Sequence, residues 1–286
     1  MSRIVYLNGA FLPYEEAKVP IMDRGFLFAD GIYEVCSILD GNLVDAAPHL
    51  ARLERSLREI RIANPHTAAE WTRLASELVR RNGLAEGLVY IEVTRGVAER
   101  DFTFPQNAAP TVVMFTQPKN ISRSPLAESG VAVVTVPDLR WKRRDIKSVA
   151  LLAQVLAKQA AAEAGVAEAW MVEDGFVTEG ASSTAFIITP DKRVVTRPLS
   201  HAVLPGVTRL SVMRLAAENG LSVEERPFSV EEAHAAAEAF LTSASMLVMP
   251  IVAIDGRPVG SGRPGPLARR LRQLYLEMAA RPAAAA

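Results

Sequence analysis

A single cysteine in 286 residues excludes an internal disulfide and, with it, the small disulfide-stapled secreted folds. Cys36 lies in the apolar run GIYEVCSIL, so it reads as a core filler in a protein of the reducing cytoplasm. No charge of one sign dominates. Thirty-two basic and thirty-two acidic residues cancel, which leaves no global field to draw the chain to nucleic acid or anionic lipid. Long apolar runs are missing too: AFLTSASMLVMPIVAI, the longest uncharged run, falls short of the roughly 20 residues of a membrane helix and contains Pro250. The amino terminus, MSRIVYLNGAFLPYEEAK, has no continuous apolar segment of the signal-peptide kind and reads as folded structure. Internal repeats are absent, and no metal site is expected. Lysine is scarce, with six against twenty-six arginines. Chemistry on small molecules is what these absences leave.

With 49% hydrophobic residues the chain can bury one large core or two medium ones, and its length favours two domains. Asn8-Gly9, Asp40-Gly41 and Asp174-Gly175 each sit between apolar stretches, as tight hairpin turns do. Leu50, Leu53, Leu57 and Ile60 recur at helical spacing, and TAAEWTRLASELVRRNG predicts a second helix stopped by Asn82-Gly83. The strands LVYIEVTRG and PTVVMFTQ complete an antiparallel first domain over 1–118. Residues 119–130 lose periodicity and read as a linker opening a larger domain over 119–286. That second part holds the strand VAVVTVPD, a helix carrying Lys147 and ended by Gly165, a meander, the helix PGVTRLSVMRLAAENG, and a capping box from Ser229 to Glu232. The closing RPAAAA reads as a frayed tail. Helices and short, mostly antiparallel strands mix without steady alternation, so the fold class is α+β.

In RRDIKSVALLAQVLAKQ, Lys147 follows a strand and two arginines and precedes an apolar helix. Nearby cations and partial desolvation favour the neutral amine, the form that adds to a carbonyl. LPGVTR puts the N–H groups of Val207 and Thr208 on the first turn of a helix, a natural anion site, with Arg52 as a second candidate cation. In TEGASSTAF, Glu179 precedes a small-residue turn, where a carboxylate could face a protonated ring nitrogen. In TRGVAERDFTFP, Arg100 could clamp a carboxylate.

Together with RGFLFADGIYEV, HLARLERSL and FLTSASMLVMPI, these stretches span essentially the whole chain. In content and spacing it resembles the class IV aminotransferases that use pyridoxal 5'-phosphate, nearest to the D-amino-acid transaminases. The resemblance implies a two-domain fold type IV architecture with the cofactor between the domains, and a cytoplasmic homodimer. It makes Lys147 the Schiff-base lysine and Glu179 the partner of the pyridine nitrogen. Arg52, Val207, Thr208, Ser243 and Ala244 would hold the phosphate, and Leu204 would support one face of the ring. Tyr33 and Arg100 would recognise the α-carboxylate, with Val35 and Ser37 lining the side-chain pocket. His49 would come from the neighbouring subunit, or else be a core or helix-capping histidine.

Two departures stand out. Phe102 occupies a position where D-amino-acid transaminases often carry histidine, and Thr184 one where asparagine is common in the family. Phe102 removes a carboxylate donor and offers an aromatic face, which suggests side activity on (R)-amines. The reaction implied moves an amino group between a D-amino acid such as D-alanine and 2-oxoglutarate or pyruvate. Its rivals are a branched-chain L-transaminase, an (R)-amine transaminase, an aminodeoxychorismate lyase, and a non-catalytic module binding a phosphate ligand or a protein.

Overall fold

A computed structural model describes residues 2–280, so the RPAAAA tail lies outside the described residues. The chain forms two compact units, one running to Asn120 and taking in Ile146–Ala150, the other comprising Ile121–Asp145 and the chain from Leu151 onward.

The first unit comprises β1 (Ile4–Leu7), β2 (Ala10–Pro13), α1 (Arg24–Phe28), β3 (Gly31–Leu39), β4 (Asn42–Leu43), α2 (Ala46–Glu59), α3 (Ala68–Arg81), β5 (Gly87–Thr94) and β6 (Thr111–Pro118). Its strands form one antiparallel sheet in the order β2-β1-β6-β5-β3-β4. Asn8 and Gly9 both adopt positive φ (47° and 98°), the geometry that lets β1 fold straight back into β2. The Thr67 hydroxyl accepts from Glu70 N–H at the start of α3, and Asn82 closes the helix. One sheet face packs on α2 and α3 through Ile32, Ile38, Leu53, Leu57, Trp71, Leu78 and Ile91. Strand alternation turns Tyr33, Val35, Tyr90, Glu92 and Phe115 to the other, half-buried face.

The second unit contains α4 (Pro125–Ser129), β7 (Val131–Pro137), α5 (Leu152–Glu163), β8 (Glu168–Glu173), β9 (Phe176–Gly180), β10 (Thr184–Ile188), β11 (Val194–Thr196), α6 (Val207–Glu218), β12 (Val223–Glu225), α7 (Val230–His234), β13 (Glu238–Ser243), β14 (Leu247–Ile254), β15 (Arg257–Pro258) and α8 (Pro266–Ala279). Its sheet runs β12-β11-β10-β13-β14-β7-β8-β9, with β15 on β14; the β11–β12, β14–β7 and β7–β8 pairs are parallel. The core on one face gathers Trp170, Phe228, Leu241 and Met249, while Phe186 stacks on Phe240 across β10 and β13.

The stretch read as a linker contains α4, and its carbonyls at Ile121 and Ser122 accept from the buried Arg272 guanidinium. At Ser229 half of the expected capping box forms: its hydroxyl accepts from Glu232 N–H, but the Glu232 carboxylate turns to Arg226.

Lys147 stands five residues ahead of α5, before the apolar helix and not on it, and the segment that carries it pairs with a strand. Because β4 covers only the Leu39 end of β3, the edge near Gly31 is open to pairing. The segment after Asp145 takes that edge: Tyr33 N–H donates to Lys147 C=O and Val149 N–H to Gly31 C=O. Those bonds return Ile146–Ala150 to the first unit, although the chain on both sides belongs to the second.

Inside the first unit, Glu34 is fully enclosed and accepts from Arg52 Nε and Nη2 and pairs with His49 Nδ1. Burial alone would raise the Glu34 carboxyl; the Arg52 pair, with the Arg52 and His49 hydrogen bonds, outweighs burial and holds it at about 2. A depressed carboxylate contributes stability in full above its ordinary value of 4.5, and that stability disappears as the pH falls toward about 2. Unfolding titrations between these limits should show a steep acid loss in the parent and a shallower one in Glu34→Gln.

Candidate active site

On the first unit, Lys147 is half-buried, its N–H donates to the Ser56 hydroxyl at 3.4 Å, and its Nζ lies 4.1 Å from the centroid of the Tyr33 ring. Tyr33, Val35 and Ser37 alternate onto one face of β3, so three sequence-predicted residues and the lysine share one sheet face. Arg100 is exposed and makes no ion pair among the described residues. Its guanidinium instead lies 5.3 Å from the Phe28 ring and 5.6 Å from the Phe102 ring, a cation held by aromatic faces with its hydrogen-bonding edge uncommitted to any carboxylate. Phe102 is 79% exposed and packs on Phe28 with centroids 5.5 Å apart.

The loop carrying Arg100 is anchored by residues that reading the sequence did not single out. Asp30 accepts from Arg24 Nε at 2.8 Å and from Arg95 Nε and Nη2 at 2.7 and 2.9 Å. Arg24 Nη1 then donates to Asp101 C=O, and Arg95 lies 3.7 Å from the Phe104 ring centroid. Asp30, half-buried, orients two arginines, and the arginines hold the loop. RGFLFADG carries Arg24 and Asp30 at short spacing, but nothing linear in the sequence links them to Arg95.

Arg52 and His49 both lie on the inner side of α2 and turn to Glu34. His49 is only 4% exposed, and burial lowers its pKa, so it is a core histidine and not one presented to a neighbouring chain. Arg52 is a fixed cation, oriented by a bidentate pair. Cys36 is buried on the same strand as Glu34, and burial pushes its thiol far up, so it is unreactive.

In the second unit, Glu179 on β9 is enclosed, and its carboxylate accepts from Arg140 Nη1 and from Leu204 N–H, the latter at 3.2 Å to each oxygen. Burial pushes the Glu179 carboxyl up, opposed by the Arg140 charge and hydrogen bond and by the Leu204 N–H. Both partners are donors and neither can accept a proton from it, so the arrangement suits the carboxylate. Arg140 is itself held by Asp138, which also accepts from the Thr178 hydroxyl. Arg140 had no signal of its own within DLRWKRRD; the need of a buried Glu179 for a cation was the one available hint. The neighbouring cations are also matched: Arg143 pairs with Asp145, and Arg144 with Glu173 and Asp138.

Val207 and Thr208 are the first two residues of α6, and no side chain caps that helix start because its cap residue is Gly206. A Cβ on Gly206 would come within 2.7 Å of Thr184 Oγ1, so glycine lets the helix start approach the strand. Thr184 stands across from Thr242 in register, and the buried Thr242 hydroxyl has no hydrogen-bond partner among the described residues. Ser243 and Ala244 continue directly from it at the end of β13. Helix-start donors, a glycine-permitted close approach and an orphan hydroxyl together have the chemistry to accept an anion.

A family model described as class IV amino-transferase matches residues 31–254. The chain belongs to the class IV aminotransferases. It is 39% identical over 268 residues to a D-alanine aminotransferase of Bacillus licheniformis, covering 94% of each sequence. It is also 38% identical over 270 residues to a D-alanine aminotransferase of Staphylococcus aureus strain MSSA476, covering 94% of this chain and 95% of that one. Among solved structures, an Escherichia coli branched-chain amino acid aminotransferase superposes with a TM-score of 0.90 at 22% identity, over 98% of this chain and 95% of the other, a likeness of fold. A T.th. branched-chain amino acid aminotransferase solved with pyridoxamine 5'-phosphate has a TM-score of 0.88 at 26% identity, over 97% and 94%. This aminotransferase thus has the fold type IV architecture expected of its sequence.

Removing one member of a buried ion pair typically costs about 3–5 kcal/mol, because the partner charge is left uncompensated. Arg140→Met should therefore destabilise the protein strongly in urea titrations. Arg140→Met combined with Glu179→Gln should recover part of that loss.

Proposed function

We propose that this class IV aminotransferase uses pyridoxal 5'-phosphate to move an amino group between D-amino acids, D-alanine among them, and 2-oxo acids. The observation that carries the cofactor is the Glu179 carboxylate, buried and met only by donors, together with the uncapped start of α6 and the unpartnered Thr242 hydroxyl. The residues present fit the group. Val207 and Thr208 N–H, Ser243, Ala244 and the Thr242 hydroxyl would take its phosphate, with Arg52 as a fixed cation oriented by Glu34. Glu179 would hold a proton on the ring nitrogen, Leu204 would support the ring, and Lys147 Nζ would hold the cofactor covalently. When bound, the cofactor supplies a ring that takes up the electrons released as the α-C–H bond of the amino acid breaks.

Every other contribution comes from this chain. Freed by the incoming amine, Lys147 Nζ takes the α-proton and returns it elsewhere on the reacting skeleton. Tyr33, on whose ring that nitrogen rests, and Arg100, with its unpaired guanidinium, receive the α-carboxylate. Val35 and Ser37 line the side-chain pocket, from the same face of β3. The preference for the D-series rests on the identity with D-alanine aminotransferases over nearly the full chain and on Arg100 in the loop after β5.

The homodimer belongs to the same reading. On α5, Leu152, Val155 and Leu156 are 73%, 58% and 55% exposed at helical spacing, an apolar stripe that suits a second copy of the chain. A cytoplasmic location accords with the single buried thiol.

The test pairs D- and L-amino acids with 2-oxo acid acceptors on the cofactor-loaded enzyme. D-alanine should react and L-alanine should not; turnover of L-leucine in place of D-alanine would overturn the stereochemical part. Phe102 supplies no hydrogen bond where a further donor to the carboxylate would contribute roughly 1.5–3 kcal/mol, about ten- to a hundredfold in affinity. Phe102→His should therefore lower KM for D-alanine and diminish slow turnover of (R)-1-phenylethylamine. Unchanged D-alanine kinetics would reduce Phe102 to packing on Phe28.

A further inference from the structure

The sheet face that carries Tyr33 also carries an acid with no part in the reaction as described. Across the β3–β5 ladder, Tyr33 stands opposite Glu92 and Val35 opposite Tyr90. Side chains so paired have Cβ atoms about 4.5–5.5 Å apart. Tyr90 stacks between Tyr33 and Phe115, with centroid distances of 5.6 and 4.6 Å, and its hydroxyl donates to Glu92 Oε2 at 2.7 Å. That hydroxyl is the carboxylate's sole donor among the described residues. The other charged group influencing Glu92 is Asp23, a second acid. An acid without a cation therefore stands next to the ring on which Lys147 Nζ rests.

A substrate side chain that leaves a carbon held near Lys147 Nζ and runs along β3 passes Tyr33 and Val35, and so passes Glu92 and Tyr90. Burial among the rings raises the Glu92 carboxyl above its ordinary range, against the Tyr90 hydrogen bond. A second carboxylate brought alongside must either face a like charge or bring a proton with it. Both lower affinity.

We propose that Glu92 is a specificity-determining residue of this face, which accepts neutral or cationic substrate side chains and disfavours dicarboxylic amino acids and 2-oxo acids. The inference rests on the D-amino-acid reading and narrows its acceptor to monocarboxylic 2-oxo acids.

Two measurements on the cofactor-loaded enzyme test it. In the first, the ratio of kcat/KM for D-glutamate to that for D-alanine is compared between parent and Glu92→Gln, a change that keeps the side chain's size and an acceptor for Tyr90. The ratio should rise at least about tenfold, whatever happens to each value alone. In the second, calorimetry compares glutarate with butyrate: the parent should bind butyrate more tightly, and Glu92→Gln should narrow the gap. A ratio that moves less than about twofold, the resolution at which such kinetic differences mean a change in interaction, overturns the inference. A parent that binds glutarate the more tightly overturns it as well, and that result needs no variant to fold. If the parent fails to transaminate D-alanine, the underlying reading falls, and the glutarate and butyrate comparison still decides the role of Glu92.

Discussion

Two backbone hydrogen bonds, Tyr33 N–H to Lys147 C=O and Val149 N–H to Gly31 C=O, fix where the amine of Lys147, proposed to react in this aminotransferase, can stand. They make the segment around Lys147 an extra edge on β3. The nitrogen is thereby set on the face of the Tyr33 ring and not at the end of a flexible helix. Three things have to be true for this. β4 must be short enough to leave the edge free, the core side of β3 must be anchored, and Ser56 on α2 must meet the Lys147 N–H. Anchoring falls to Glu34, whose pair with Arg52 and His49 ties β3 to α2 at a point where an unmatched charge would be costly.

Both units solve the same electrostatic problem, and each does so with a buried or half-buried acid that orients arginine. Glu34 sets Arg52, Asp30 sets Arg24 and Arg95 and through them the Arg100 loop, and Asp138 sets Arg140 against Glu179. For Arg52, Arg95 and Arg140 the acid holds the guanidinium at two points, for which lysine would be a poor substitute, whereas Arg24 gives Asp30 one hydrogen bond and the Asp101 carbonyl another. Such pairs help explain a composition rich in arginine and poor in lysine, with Lys147 standing out against it.

Much of this was legible in the sequence where the cause is local. Asn8-Gly9, Asp40-Gly41 and Asp174-Gly175 take the positive φ values that their residue types permit, and all three make hairpins. Leu50, Leu53 and Leu57 face the core of α2 as their spacing requires. Glu179, Val207 and Thr208 fall at a strand end and a helix start, as their motifs indicated. Other features depend on strand pairing between distant segments and leave no linear trace. The apolar residues after Lys147 point to the helix that follows it, α5, but the conformation of Lys147 itself is decided by long-range pairing with β3. Arg140, Asp30 and Glu92 gain meaning only once Glu179, Arg95 and Tyr33 are beside them in space.

Lys147 alone among the six lysines is proposed to hold the cofactor. Borohydride reduction of the cofactor-loaded enzyme, followed by digestion and mass spectrometry, tests it directly. The reduced phosphopyridoxyl group should appear on the peptide bearing Lys147 and be lost in Lys147→Ala. A label on Lys142 or Lys158 would contradict it.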